Sequence, residues 1–192
     1  MRTLTATLLA EQARMSVKPL AKIDLNSAID VGAAATNRVS AVVQGSTIIS
    51  LENPANDPGI LDTVDIWVVV NMTGLTIGTF YLVSGTTYKC RDSQAVAGTI
   101  ESGAKRTITG LSLNIQKGDY IGLYWSGTGE IEQDSTGTLG YVYITGEYID
   151  AGDSASYTIG ATGVISLYGY LTGASYSYST ERILDIKQTE LD

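Results

Sequence analysis

The sequence predicts an all-β protein: a jelly-roll-like β-sandwich with a short N-terminal helix and an extended arm. Three observations predict it. Apolar residues alternate with period two through most of residues 63–170, the spacing that turns every second side chain to one face of a strand. Glycine-bearing turns interrupt the alternation at short intervals, at Ser84-Gly85, Ser102-Gly103, Lys117-Gly118, Thr128-Gly129, Thr136-Gly137, Gly152-Asp153 and Thr162-Gly163. The 192 residues include 21 glycines and 12 tyrosines but only 3 prolines and one phenylalanine, a mixture that favours pleated surfaces and tight turns. Many short strands between close turns read as a sandwich or barrel, not as βαβ units.

The chain divides into an N-terminal helical arm (1–25), a sandwich domain (26–180) and a C-terminal tail (181–192). Residues 4–15 read as one short helix, with Leu4 and Leu8 on one face and Leu9 and Ala13 beside them. So short a helix is unstable alone in water and needs a surface to dock on. Residues 16–25, SVKPLAKIDL, read as an extended connector, because Pro19 disfavours helix. Residues 52–62, ENPANDPGILD, form a loop stiffened by Pro54 and Pro58, a connection between sheets.

Residues 63–71, TVDIWVVVN, predict a central strand with Val64, Ile66, Val68 and Val70 on one face. Further strands are expected at 75–83, 86–90, 95–100, 106–115, 119–125, 130–134, 139–145, 156–159 and 164–170. Residues 111–125 predict a hairpin turning at 116–119. Leu111, Leu113 and Ile115 then face the same core as Ile121, Leu123 and Trp125. The tail regains charge around Ile183, Leu184 and Ile186, as a last strand or a docking segment would.

Composition excludes several chemistries. The lone Cys90 rules out an internal disulfide framework and a thiolate zinc site. It lies two places from Tyr88, which predicts a buried thiol. Histidine is absent, which removes Ser-His-Asp and Cys-His catalysis and imidazole ligation of metals. No apolar run reaches membrane-spanning length, so no membrane partner is expected. Glu11, Gln12 and Arg14 break the N-terminus too often for a secretory signal, which places synthesis in a cytoplasm.

Charge is unevenly distributed. Residues 1–22 carry Arg2, Arg14, Lys18 and Lys22 against Glu11, a net +3, while the remainder carries −11. No basic residue occurs from Gly118 to Glu181. Such a body repels phosphate backbones, so nucleic acid is not an expected partner. The basic arm, with Leu4, Leu8, Leu9, Arg14 and Lys18, fits anchoring on an acidic neighbour.

Two constellations are candidates for function. Glu130, Glu132 and Asp134 alternate in EIEQD and would share one strand face, about 7 Å apart per step. The alternation reads first as a solvent-facing strand. A hard cation, Ca2+ or Mg2+, is the second reading and the one cofactor the sequence brings into view. An acid/base pair is the third, although catalytic carboxylates need unequal environments. The other constellation is the i, i+2 tyrosine pairs: Tyr141 with Tyr143, Tyr168 with Tyr170, and Tyr176 with Tyr178. Each pair fits a protein interface, a plain outer face or a glycan platform. Asp119, in the KGD turn, is expected to satisfy turn amides.

Residues 4–25, LTATLLAEQARMSVKPLAKIDL, resemble an N-terminal pattern of tail-associated and appendage proteins of tailed bacteriophages: a Leu/Ala helix followed by an extended basic P-x-x-K stretch. Residues 30–170 are similar to a β domain of phage and prophage proteins. The similar pieces are NPAN, TVDIWVVVNMTG, GTF, RDSQAVAGTIESGAKRTITGLSL, GDYIGLYWSG and ISLYG. The resemblance implies a non-enzymatic virion structural protein, made in the host cytoplasm and assembled into the virion. It would join other virion proteins, and further copies of itself, through the arm. A tail or neck component or a head decoration fits the length. The alternative is a carbohydrate- or receptor-binding module contacting host glycan, and a glycan depolymerase using Glu130 and Glu132 is the third option.

Overall fold

A computed structural model describes residues 29–172, apart from residues 44, 136, 161 and 162. The arm and its helix, the tail, and Tyr176 and Tyr178 lie outside the described residues.

Seventeen strands and no helix occupy the described residues. They begin with β1 (Asp30–Gly32), β2 (Ser40–Val43), β3 (Ser46–Ser50), β4 (Gly59–Ile66), β5 (Val68–Val70) and β6 (Met72–Thr73). The middle of the chain supplies β7 (Leu75–Ser84), β8 (Thr87–Ala95), β9 (Thr99–Ile100), β10 (Arg106–Ile115), β11 (Tyr120–Trp125) and β12 (Glu130–Asp134). The series ends with β13 (Tyr141–Thr145), β14 (Ser154–Ser156), β15 (Thr158–Ile159), β16 (Val164–Ile165) and β17 (Leu167–Tyr170).

These strands build an all-β, sandwich-like body. The front sheet has the order β1-β17-β4-β10 and the back sheet β14-β8-β7-β11-β3-β13-β15. A third sheet, β16-β12-β2 with β5 also on β12, and a ribbon of β6 with β9 complete it. Every strand pairing is antiparallel, as short strands joined by tight turns allow.

The main core lies between front and back sheets. Val31, Leu61, Val64, Ile66, Leu113, Ile115 and Leu167 from the front meet Ile48, Leu75, Ile77, Ile121, Leu123 and Trp125 from the back. Each fully buried aliphatic side chain here contributes roughly 1.5–3 kcal/mol relative to exposure. The back sheet is covered on its other face as well, by a second cluster of Ile49, Phe80, Tyr88, Cys90, Val142, Ile149 and Tyr157. Ile48 and Ile49 are neighbours in β3 and enter different clusters, as period two requires.

The expected hairpin at 111–125 is corrected. Its six apolar residues do share one core. Yet β10 pairs with β4 while β11 pairs with β7 and β3, so the turn at 116–119 carries the chain from one sheet to the other. The single strand expected at 63–71 is also two. It breaks at Trp67, where β4 of the front sheet becomes β5 of the third. Val64, Ile66 and Val68 are fully buried, but Val70 is exposed. Gly59 to Asp62, expected as loop, already belong to β4. The rest of that loop is pinned at Ala55, whose N–H donates to Asp119 O and whose carbonyl accepts Gly118 N, both at 2.8 Å.

Candidate functional site

The acidic strand β12 sits at the corner where the front sheet meets the third sheet. Two chain segments change sheet there, at Trp67 between β4 and β5 and at Ser166 between β16 and β17. Backbone bonds stitch the corner: Trp67 N to Ser166 O at 3.2 Å, Glu132 N to Trp67 O at 3.1 Å, and Ser166 N to Glu132 O at 3.0 Å.

Arg38 closes the outside of this corner. Its backbone N–H donates to Glu132 Oε2 at 3.0 Å, and its Nε to Ser166 Oγ at 2.8 Å. Nη1 pairs with Asp134 Oδ2 at 2.6 Å and Nη2 donates to Ala34 O at 3.0 Å. Ser166 Oγ in turn donates to Thr36 O at 2.6 Å. The expectation of a solvent-facing acidic strand is therefore corrected. Glu132 is only 6% exposed, Asp134 is ion-paired, and Glu130 is half-buried. A solvated face requires that nothing cover the strand, and here residues 34–38 do. The Arg38 guanidinium faces Asp134 and its backbone N–H faces Glu132, and this arrangement bolts a corner together. Arg38 escaped the sequence reading because it stands 96 residues from Asp134 with no motif around it.

A second acidic group appears that the sequence did not single out: carboxylate oxygens of Glu147, Asp150 and Asp153 lie within 4.8 Å of one another. Loop folding accounts for much of it. Glu147 accepts Ile149 N at 2.9 Å, and Asp153 accepts Asp150 N at 3.2 Å.

The tyrosine pairs part company. Tyr141 and Tyr143 of β13 pack, partly buried, against the main core, with ring centroids 6.3 Å apart. A Cβ at Gly160 would lie 2.6 Å from the Tyr141 ring, so glycine there makes room for it. Burial, then the neighbouring Tyr143, pushes the Tyr141 phenol upward. Tyr168 and Tyr170 of β17 lie on the outer face of the front sheet, stacked at 5.6 Å and 30°. The Tyr168 hydroxyl donates to Asp30 Oδ2 at 3.2 Å, and burial followed by that carboxylate raises its pKa. Asp65, 6% exposed beside them, accepts Thr107 Oγ1 at 2.6 Å and Lys105 Nζ at 2.8 Å. The bond to Asp65 holds the Lys105 ammonium above its usual range.

Two smaller expectations agree with the structure. Cys90 is a buried thiol, its Sγ donating to Ile149 O at 3.0 Å, and burial followed by nearby Asp153 pushes it up to about 12. Asp119 caps its turn, accepting Gln116 N at 2.8 Å. It also forms a two-pronged pair with Arg91, which lies over the Tyr81 ring at 4.7 Å. The expected anchor residues Leu4, Leu8, Leu9, Arg14 and Lys18 lie outside the described residues. No family model, curated protein or solved structure matches the chain.

Proposed function

We propose that the chain is a non-enzymatic surface module of a tailed-phage virion. It is joined to the particle by its leading segment and present in several copies, and its sandwich is a jelly roll. Strand order supports the jelly-roll reading. Taken in sequence, β1, β3, β4, β7, β8, β10, β11 and β17 fall front, back, front, back, back, front, back, front. That alternation is the one two interleaved Greek keys require.

The observation that carries the assembly role is the register of β1 with β17, which sets Asp30 opposite Tyr170. The described sandwich therefore begins and ends on adjacent strands at the same end. A module attached at that end presents the opposite one, with the third sheet and its corner, to the surroundings. Deleting residues 1–22 should leave a folded sandwich that no longer enters particles. Unchanged occupancy in purified particles, read by mass spectrometry, would refute the anchoring role.

A second reading, recognition of host glycan, is favoured by the outer face of the front sheet, where stacked tyrosines stand beside charged and hydroxyl groups.

A further inference from the structure

The front sheet's outer face carries polar and aromatic side chains that neither the core nor the corner uses. Register fixes their arrangement. Tyr168 lies opposite Asp65, and Asp65 lies opposite Thr107 on the next strand. In the neighbouring row Tyr170 stands between Thr63 and Asp30. A cavity of about 250 Å³, lined by Thr99, Ile100, Glu101, Arg106, Thr107 and Ile108, begins at that same Thr107. Two strand spacings of roughly 4.8 Å put Tyr168 about 10 Å from Thr107.

We propose that this face binds a neutral oligosaccharide. One sugar ring packs on the Tyr168–Tyr170 pair, and the next is held by Lys105 and Thr107, which Asp65 orients from below, at the mouth of the cavity. The inference rests on the recognition reading and is separate from the assembly role. A pyranose presents C–H groups on its faces and hydroxyls around its rim. The rings meet the first. The exposed Thr107 hydroxyl keeps an acceptor lone pair, and Lys105, half exposed, has two further N–H donors for the second, both held in place by Asp65 beneath them. A protein partner fits less well, because the core of a protein interface is depleted of charge, and here Asp30, Asp65 and Lys105 stand among the tyrosines. Charge also selects among sugars. A chain of net charge −8 repels uronate and phosphate polymers, which leaves uncharged hexose or N-acetylhexosamine units.

The test applies the full chain to an array of neutral, N-acetylated and uronate-containing oligosaccharides and measures the hits by calorimetry. A neutral or N-acetylated oligosaccharide of two or more units should bind. Tyr170→Ala should weaken it about tenfold or more, whereas Tyr170→Phe, which keeps the ring, should leave it within about twofold. Lys105→Met should also weaken binding while the variant still melts cooperatively, the loss of the Asp65 bond lowering its melting temperature. Binding that survives both Tyr170→Ala and Lys105→Met overturns this site but leaves recognition elsewhere on the chain intact. No neutral hit, or a strongest hit on uronates, overturns the site and the recognition reading together. Self-association abolished by Tyr170→Ala would give the face to a second copy and overturn the sugar site.

Discussion

Replacing Arg38 by methionine tests whether the corner holds the sandwich together. The substitution keeps an unbranched side chain of similar reach and removes three side-chain bonds, to Ser166 Oγ, Asp134 Oδ2 and Ala34 O. The Arg38 and Asp134 side chains are 11% and 15% exposed, so the pair lies far nearer the buried limit than the surface one. Breaking a buried pair from one side costs roughly 3–5 kcal/mol, against about 0–1 for exposed pairs. The backbone bond from Arg38 to Glu132 survives the change and the corner keeps its main-chain stitches. We therefore expect the low end, about 3 kcal/mol. In urea, with a slope of about 1–3 kcal/mol per molar, the midpoint should fall by at least about 1 M. Asp134→Asn measured alone and combined with Arg38→Met completes a cycle, and a coupling above about 1 kcal/mol is expected. A single-variant loss under about 1 kcal/mol with no coupling would refute the reasoning and make Arg38 an ordinary surface arginine.

Three further outcomes follow from local geometry. One oxygen of Glu52 accepts the amides of Thr138, Leu139 and Gly140 at 2.6, 2.6 and 3.0 Å. Burial pushes that carboxyl up, but the three amides outweigh it and leave it below its usual range. Its contribution is therefore present above the unfolded carboxyl pKa and lost as pH falls through the folded one. Glu52→Gln should cost about 1 kcal/mol near pH 7, with the gap closing below about pH 4, as urea melts across pH would report. The Cys90 thiol, at about 12, should resist a disulfide reagent at pH 8 until urea unfolds the chain. Because its folded pKa lies above the unfolded one, stability should decline as pH rises past about 8.5, and Cys90→Val should flatten that decline. Gly122→Ala places a Cβ 2.5 Å from Ile48 O and 2.7 Å from the Phe80 ring, where β11 lies between β3 and β7. It should lower stability by about 2 kcal/mol or more, and a melting temperature within a degree of wild type would contradict this packing.

Period two told which way side chains face, and little about which strands pair. Leu111, Leu113 and Ile115 share a core with Ile121, Leu123 and Trp125 as expected, yet the strands carrying them lie in different sheets. Facing is a local property of the pleat. Pairing depends on partners far away in the chain, and β1 with β17 is the extreme, joining Asp30 to Tyr170. The stretches at β1, β2 and β3 were not legible as strands: β1 has three residues, and SAVV and STIIS set apolar residues side by side instead of alternating. Period two needs about four to eight residues to declare itself.

The two candidate sites differ in legibility for the same reason. A solvated acidic stripe belongs to a strand in the middle of a two-layer sandwich, where one face meets the core and the other meets water. At a corner, where strands pass from one sheet into another, both faces are covered. Ile131 enters the main core, and Glu132 meets a guanidinium-bearing segment that threads back over the strand. The tyrosines of β17 lie on an outer face because Tyr168 lies opposite Asp65 and Gly32, with β4 and β1 flanking it inside a regular four-stranded sheet. The tyrosines of β13 do not. Their strand lies toward the far edge of the back sheet, between β3 and β15, and Tyr141 turns onto Gly160 and Gly163. One i, i+2 pattern thus gives a pair packed against the core at one position and an outer-face pair at the other. What separates them is the neighbour across the sheet, and that neighbour is set by pairing over long sequence distances.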